Sequence, residues 1–239
     1  MRVIPLLLSV CGPMMLVAQT YTVMTYNIRY ANGHDSKNRW ELRSEALANT
    51  VLEQKPQIIG LQEVLHEQLT YVKDRWPGYE HFGVGRDNGH ESGEYAPVFY
   101  DTATFTLLKG RTIWLSPSPE IPSMGWDATC NRIVTLVILL DRSSGDSLWV
   151  ANTHWDAAGD EARQHSARIV VDLLAGPIAR GKRTIFMGDL NAKAKEEPIH
   201  YLRDRLSDAC PKGKKGRGTF NRFNRLRMFS KRIDYVWLS

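Results

Sequence analysis

Four apolar runs in this chain each stop at a polar residue that a buried core would not choose. Met24-Thr25-Tyr26 stops at Asn27, Gly60-Leu61-Gln62 at Glu63, Ala151-Asn152-Thr153 at His154, and Phe186-Met187-Gly188 at Asp189, with Asn191 two residues on. Short apolar runs of this kind read as buried strands. Singly, each ending has a plain structural reading: Asn or Asp at a strand end starts a turn, and a lone His is ordinarily a satisfied structural residue. Together they bring two carboxylates, two amides and an imidazole to one edge of a set of strands, so the fold must end several strands on the same side.

The rest of the chain supplies the layers. Trp40 to Gln54 carries Leu42, Ala46, Leu47 and Val51 on a wide apolar face and stops at Lys55-Pro56, which predicts a helix. Further helices are predicted over His66 to Arg75, over Asp160 to Leu174 with a stop at Gly176-Pro177, and over Glu196 to Arg203. Strands are predicted at Tyr21 to Arg29, Ile58 to Leu61, Tyr79 to Val84, Tyr95 to Tyr100, Thr104 to Leu115, Arg132 to Leu140, Ser147 to Thr153, Arg183 to Met187 and Arg232 to Leu238. Hairpins mixed with strand-helix-strand units define an α/β class with mixed sheets in packed layers. Neither a repeat nor a linker divides the chain, so one domain is expected over residues 19–239. Hydrophobic residues at 43% and charged residues at 24% exclude collagen-like, disordered and coiled-coil classes.

The N-terminus reads separately. Arg2 and Arg29 are the only charges in the first 33 residues, and Val3 to Ala18 is apolar, with Pro5 and Pro13 unsuited to a long helix. This is the pattern of a secretory signal peptide over residues 1–18, cleaved after Ala18 to leave Gln19 first. A secreted or periplasmic protein is expected, without stable membrane insertion after cleavage, since no later apolar run approaches the roughly 20 residues of a span. Cleavage removes Cys11 and leaves Cys130 and Cys210, which read as two ordinary thiols.

Charge is unevenly placed. Residues 211–239 hold nine of the 31 basic side chains and one of the 26 acidic ones, Asp234. Lys212 to Arg232 interleaves these bases with Phe220, Phe223 and Phe229, and reads equally as a solvated edge or as a phosphate-attracting lip beside a site.

The oxygen-rich strand ends suit a hard divalent cation, Mg²⁺ or Mn²⁺. The sequence resembles the endonuclease/exonuclease/phosphatase superfamily through five motifs in family order: Thr25-Tyr26-Asn27, Leu61-Gln62-Glu63, Asn152-Thr153-His154, Gly188-Asp189-Leu190-Asn191 and Arg232-Ile233-Asp234-Tyr235. Asn38 to Arg43 and Gly125 to Ala128 are similar to secreted bacterial members. The resemblance implies a four-layer sandwich, two mixed β-sheets face to face with helices outside. It implies that Glu63 binds the metal with Asn27 close by, that Asp189 orients or deprotonates the attacking water, and that Asn191 holds phosphate or metal. It further implies that His154, oriented by Glu94, faces the scissile phosphate, that Arg132 grips phosphate, and that Tyr95 lies on the substrate side.

The same resemblance implies a second dyad, in which Asp234 orients a later His on a Ser-Asp-His loop before a final strand. The last His here is His200 and the sequence stops at Ser239, so that strand and its His are absent from it. An incomplete reading frame is expected over a natural truncation, because the Arg232 to Tyr235 motif is intact; a form of 239 residues is expected to be poorly active. The function expected is a secreted divalent-metal-dependent phosphoesterase hydrolysing a phosphodiester, as nucleases do, or a phosphomonoester, by in-line attack of water, with nucleic acid as one possible substrate. The alternative is a truncated non-catalytic fragment that binds a phosphorylated ligand or a partner.

Overall fold

Alternation along the strands decides which side chains meet between the layers. The computed structural model describes residues 20–210, 218–224 and 231–239. The signal peptide expected at 1–18 and the basic positions Lys212, Lys214, Lys215, Arg217, Arg225 and Arg227 lie outside the described residues. Strands β1 (Val23–Asn27), β2 (Ile58–Gln62), β3 (Tyr79–Phe82) and β4 (Val98–Asp101) form a sheet ordered β1-β2-β4-β3. Strands β5 (Phe105–Trp114), β6 (Ile133–Asp141), β7 (Ser147–His154), β8 (Arg183–Asp189), β9 (Ser207–Asp208) and β10 (Asp234–Leu238) form a second, ordered β5-β6-β7-β8-β10-β9. The pairs β1/β2 and β7/β8 are parallel and the others antiparallel, so both sheets are mixed.

In β2, Ile58 faces the other sheet while Ile59 and Leu61 face outward; in β7 and β8, Leu148, Val150, Ile185 and Met187 face inward while Ala151 and Phe186 face outward. The inward set, with Val98, Tyr100, Val137 and Leu139, is the core between the sheets. Helices α1 (Trp40–Gln54) and α2 (His66–Arg75) cover the smaller sheet through Leu47, Val51, Leu69 and Val72. Helices α3 (Asp160–Ala179) and α4 (Glu197–Arg203) cover the larger through Ala167, Val170, Leu174, Ile199 and Leu202. The result is the expected four-layer sandwich. No helix among the described residues is long and apolar enough to cross a membrane.

One polar plug joins the sheets. Asn152 donates from Nδ2 to the carbonyls of Leu61 (2.7 Å) and Pro97 (2.9 Å), and its Oδ1 accepts from Gln62 Nε2 at 2.7 Å. Both side chains are fully buried, and every partner is a protein group. Opposite stands Gly60, where a Cβ would lie 2.6 Å from Asn152 Oδ1; the sheets come this close only because Gly60 has no side chain.

The helices α1 and α2 have the expected bounds. Helix α3 differs: it continues through Gly176-Pro177 to Ala179 instead of stopping at Leu174. Pro177 forfeits its own bond to the carbonyl four residues back, and the helix runs only two residues beyond it. A 3-10 turn at Gly33–Asn38 and the two-residue β9 carry no periodic pattern to read from sequence.

Candidate active site

The inward face of the sandwich, followed to the strand ends, becomes the site. Val23 and Ile185 lie in the inter-sheet core, and period-2 alternation carries the same face to Asn27 on β1 and Asp189 on β8. Across the larger sheet His154 is in register with Asp189, and Asp189 with Asp234. Three ionisable side chains therefore stand in one row, with Asp189 in the middle.

Asn27 ties the two sheets at this edge. Its Nδ2 donates to Glu63 Oε1 at 2.9 Å and to Asp189 Oδ2 at 3.0 Å. The backbone N–H of Tyr30 donates to Glu63 Oε2 at 3.2 Å, and Arg29 Nη1 lies 3.6 Å from the same oxygen. Arg29 also forks onto Asp35 at 3.0 and 3.1 Å. The loop carrying Arg29 and Tyr30 is braced from two sides. Arg43 donates to the carbonyls of Ile28 and Arg29, and Gln68 donates to the Arg29 carbonyl at 3.0 Å while accepting from Ala31 N–H. Arg29, Glu63 and Asn191 all have left-handed backbones, with φ of 56°, 59° and 46°. Asn tolerates that region; Arg and Glu do so less readily, and residues held there cluster at functional sites.

On the other side, Asn191 Nδ2 donates to the Trp155 carbonyl at 2.9 Å and stands 3.0 Å from His154 Nε2. Because the Trp155 carbonyl requires a donor, the atom facing His154 is the amide nitrogen, so Nε2 accepts and Nδ1 carries the proton. Glu94 lies behind, its Oε2 3.8 Å from His154 Nδ1 and 2.8 Å from Arg86 Nη1. Burial pushes the Glu94 carboxyl upward, but His154, Arg86 and Arg132 outweigh it and hold the carboxyl below the usual carboxylate range.

Asp234 behaves oppositely. Burial, and then the charge of Asp189 beside it, push its carboxyl up to about 7, against the smaller opposing effects of a Thr219 hydrogen bond, His154 and Arg232. Asn27, Arg29, Asp35, Glu63, Asp189 and Asp234 share a pocket of about 390 Å³ with residues 219–223. Phe220 and Phe223, 43% and 48% exposed, form its mouth together with Arg222. Thr219 pins this mouth, its Oγ1 accepting from the N–H groups of Ile233 and Asp234 at 3.1 Å.

The structure thus gathers Asn27, Glu63, Asp189, Asn191, His154, Glu94 and Asp234 at one edge. Two other expected residues lie behind it. Arg132 is 6% exposed, its Nε donating to the buried Asp156 at 3.1 Å. Tyr95 is buried too, with its hydroxyl 3.1 Å from His66 Nδ1. Arg232 serves the fold, forking onto Asp208 at 2.7 and 2.6 Å. Arg29 and Asp35 are pocket residues that the sequence reading passed over; Arg29 follows the Asn27 motif by two residues, the one signal that pointed to it.

The pocket's donors suit a small hard cation. Two carboxylates, Glu63 and Asp189, converge on a single amide nitrogen. Among the described residues no three His, Cys, Asp or Glu side chains form a cage for an ion.

The Endonuclease/Exonuclease/phosphatase family profile matches residues 24–239, and the chain belongs to that family, whose members are phosphoesterases and nucleases. The mannosyl-6-phosphatase of Bacteroides thetaiotaomicron VPI-5482 is 32% identical with a TM-score of 0.85, over 92% of this chain and 85% of that one. The endonuclease/exonuclease/phosphatase from Bacteroides vulgatus is likewise 32% identical with a TM-score of 0.85, over 90% of this chain and 85% of that one. TDP2 of D. rerio, complexed with single strand DNA product, shares the fold at 19% identity and a TM-score of 0.69, over 90% and 82% of the two chains. Among curated proteins, the uncharacterized protein L388 of Acanthamoeba polyphaga mimivirus is 25% identical over 166 residues, 66% of this chain, which spans 61% of that relative's length.

Proposed function

We propose that this protein is an exported, divalent-metal-dependent phosphoesterase that hydrolyses a phosphate ester by in-line attack of water. The observation that carries this reading is the convergence of Glu63 and Asp189 on Asn27, with His154 in register beside Asp189. Glu63 would hold a Mg²⁺ or Mn²⁺ ion with Asn27 close by in the same site, and the ion when bound would neutralise charge on the phosphate. Asp189, with Oδ1 fixed by the Asn191 N–H at 3.0 Å, orients a water molecule and takes its proton. His154 and the amide of Asn191 face the phosphate as hydrogen-bond donors to developing negative charge once His154 is protonated, and Arg29 at the pocket wall adds a positive charge. The Arg2 to Ala18 leader supports export.

A pocket of about 390 Å³ fits one phosphorylated small molecule. Together with the kinship to a mannosyl-6-phosphatase, this supports a sugar phosphate as the first substrate class to try. The exposed Phe220 and Phe223 beside Arg222 favour a second class, nucleotides, whose bases stack on aromatic rings. Hydrolysis of p-nitrophenyl phosphate and bis(p-nitrophenyl) phosphate in Mg²⁺ separates monoesterase from diesterase activity. Glu63→Gln and Asp189→Asn should each lower the rate at least about a hundredfold, the scale of a lost acid/base group or electrostatic donor.

A further inference from the structure

Behind His154 lies a small pocket of about 10 Å³ bordered by Arg86, Glu94, Asn131, Arg132 and His154. Three side-chain nitrogens of its lining residues are buried with no hydrogen-bond partner: Arg86 Nε, Arg132 Nη1 and His154 Nδ1. Arg86 Nε lies 4.0 Å from Asp87 Oδ1, while Arg86 Nη1 grips Glu94. The other two nitrogens share one acceptor problem. His154 Nδ1 carries a proton, for the reason given above, yet Glu94 at 3.8 Å is too far to accept it directly. Arg132 cannot swing outward to find a partner without abandoning Asp156, whose carboxylate is wholly buried.

A buried donor left unmade costs about 1–3 kcal/mol, and a pocket near the size of one probe sphere with polar groups around it is where an ordered water resides. We propose that one water molecule in this pocket accepts from His154 Nδ1 and Arg132 Nη1 and donates to Glu94. The two nitrogens fill its two lone pairs, and Glu94, clamped by Arg86, receives a proton of the water. Arg132 is then a positioning residue for His154 and not a phosphate-gripping one, and the carboxylate-histidine dyad is coupled through water. This rests on the reading of His154 as phosphate-facing.

The test is Arg132→Lys, which keeps a positive charge for Asp156 while withdrawing the planar Nη1 donor. Imidazole ¹⁵N NMR of the full chain should show His154 as the Nδ1-protonated tautomer in both proteins, since Asn191 keeps Nε2 an acceptor, with the Nδ1–H exchanging with solvent at least about tenfold faster in the variant, whose water has lost one of its anchors. Inorganic phosphate, titrated calorimetrically in Mg²⁺, should bind both proteins within about twofold, whereas loss of a bidentate phosphate contact would weaken it tenfold or more. With p-nitrophenyl phosphate, kcat should fall about tenfold, as for a lost orienting partner, with KM unchanged. The same substitution in a His154→Ala background should cost nothing more. An Nδ1–H exchange rate indifferent to Arg132→Lys, or phosphate binding lost in the variant, overturns the proposal. Full turnover by His154→Ala would refute the underlying reading of the site, a result independent of the exchange measurement.

Discussion

Asp189 faces His154 on one neighbouring strand and Asp234 on the other, and its two neighbours respond differently. Asp234 has its carboxyl raised to about 7 by burial and by the charge of Asp189, whereas in the unfolded chain it would titrate near the ordinary 3.8. In that interval the folded protein holds a proton that the unfolded chain has released, so stability must fall as pH rises from about 4 through 7. In chelator, thermal melts of the wild type should therefore drop between pH 5 and 8 relative to Asp234→Asn, which removes the titration. Parallel melting curves would show that the two carboxylates do not repel. The mouth residues make a separate prediction. Phe220→Ala with Phe223→Ala should raise KM for nucleotide monoesters several-fold, as base stacking is worth about 1–3 kcal/mol, while leaving p-nitrophenyl phosphate turnover within about threefold. Equal effects on both substrates would make these rings part of the fold. His154 and Asp189 were legible in sequence because each ends an apolar run, and Asp234 through the Arg232 to Tyr235 motif. Arg43 and Gln68 were not legible as supports of the site, since they act by bonding carbonyls distant in sequence, and nothing in a run of residues marks that.

At the scale of elements, the site exists because β7 and β8 run parallel and end together, and because Asn152 fixes the distance between the sheets one step beneath His154. Asn152→Leu would take the side-chain donor from the carbonyl of Leu61, whereas the Pro97 carbonyl keeps the Leu61 N–H and Gln62 Nε2 keeps Thr25 Oγ1 and the Gly60 carbonyl. The expected loss is about 1–3 kcal/mol, the scale of one buried polar group without a partner. Urea unfolding measures it, and a midpoint unchanged from wild type would mean water reaches this layer. Most elements could be read from periodicity and stop signals, down to the ends of α1 and α2. The extension of α3 through Pro177 was hidden, because a proline stop signal does not say how many turns of packed helix precede it. Burial of Arg132 was hidden too: an arginine at a strand start looks solvent-facing until Asp156 is found beneath it.

At the scale of the molecule, the positive excess of the sequence lies beyond residue 210, and the described part of that stretch divides in two. Arg222 stands at the pocket mouth, whereas Arg232 is bound to Asp208 and holds β9 against β10. Arg232 is thus part of the fold, neither a solvated edge nor a lip. The leader carries its own prediction: protein recovered from outside the cytoplasm should begin at or near Gln19, as N-terminal sequencing would show, and a cytoplasmic protein with Met1 retained would refute export.

The central claim is that Glu63, Asp189 and Asn27 form a cation-assisted phosphoesterase centre. Its most direct test is turnover of p-nitrophenyl phosphate and bis(p-nitrophenyl) phosphate by the wild type, read against its own Asp189→Asn variant, with Mg²⁺ and with excess chelator. The expected result is a wild-type rate at least about a hundredfold above the variant's on one of the two esters, falling to the variant's level in chelator. Equal rates in wild type and variant, or a wild-type rate that survives the chelator, would contradict it.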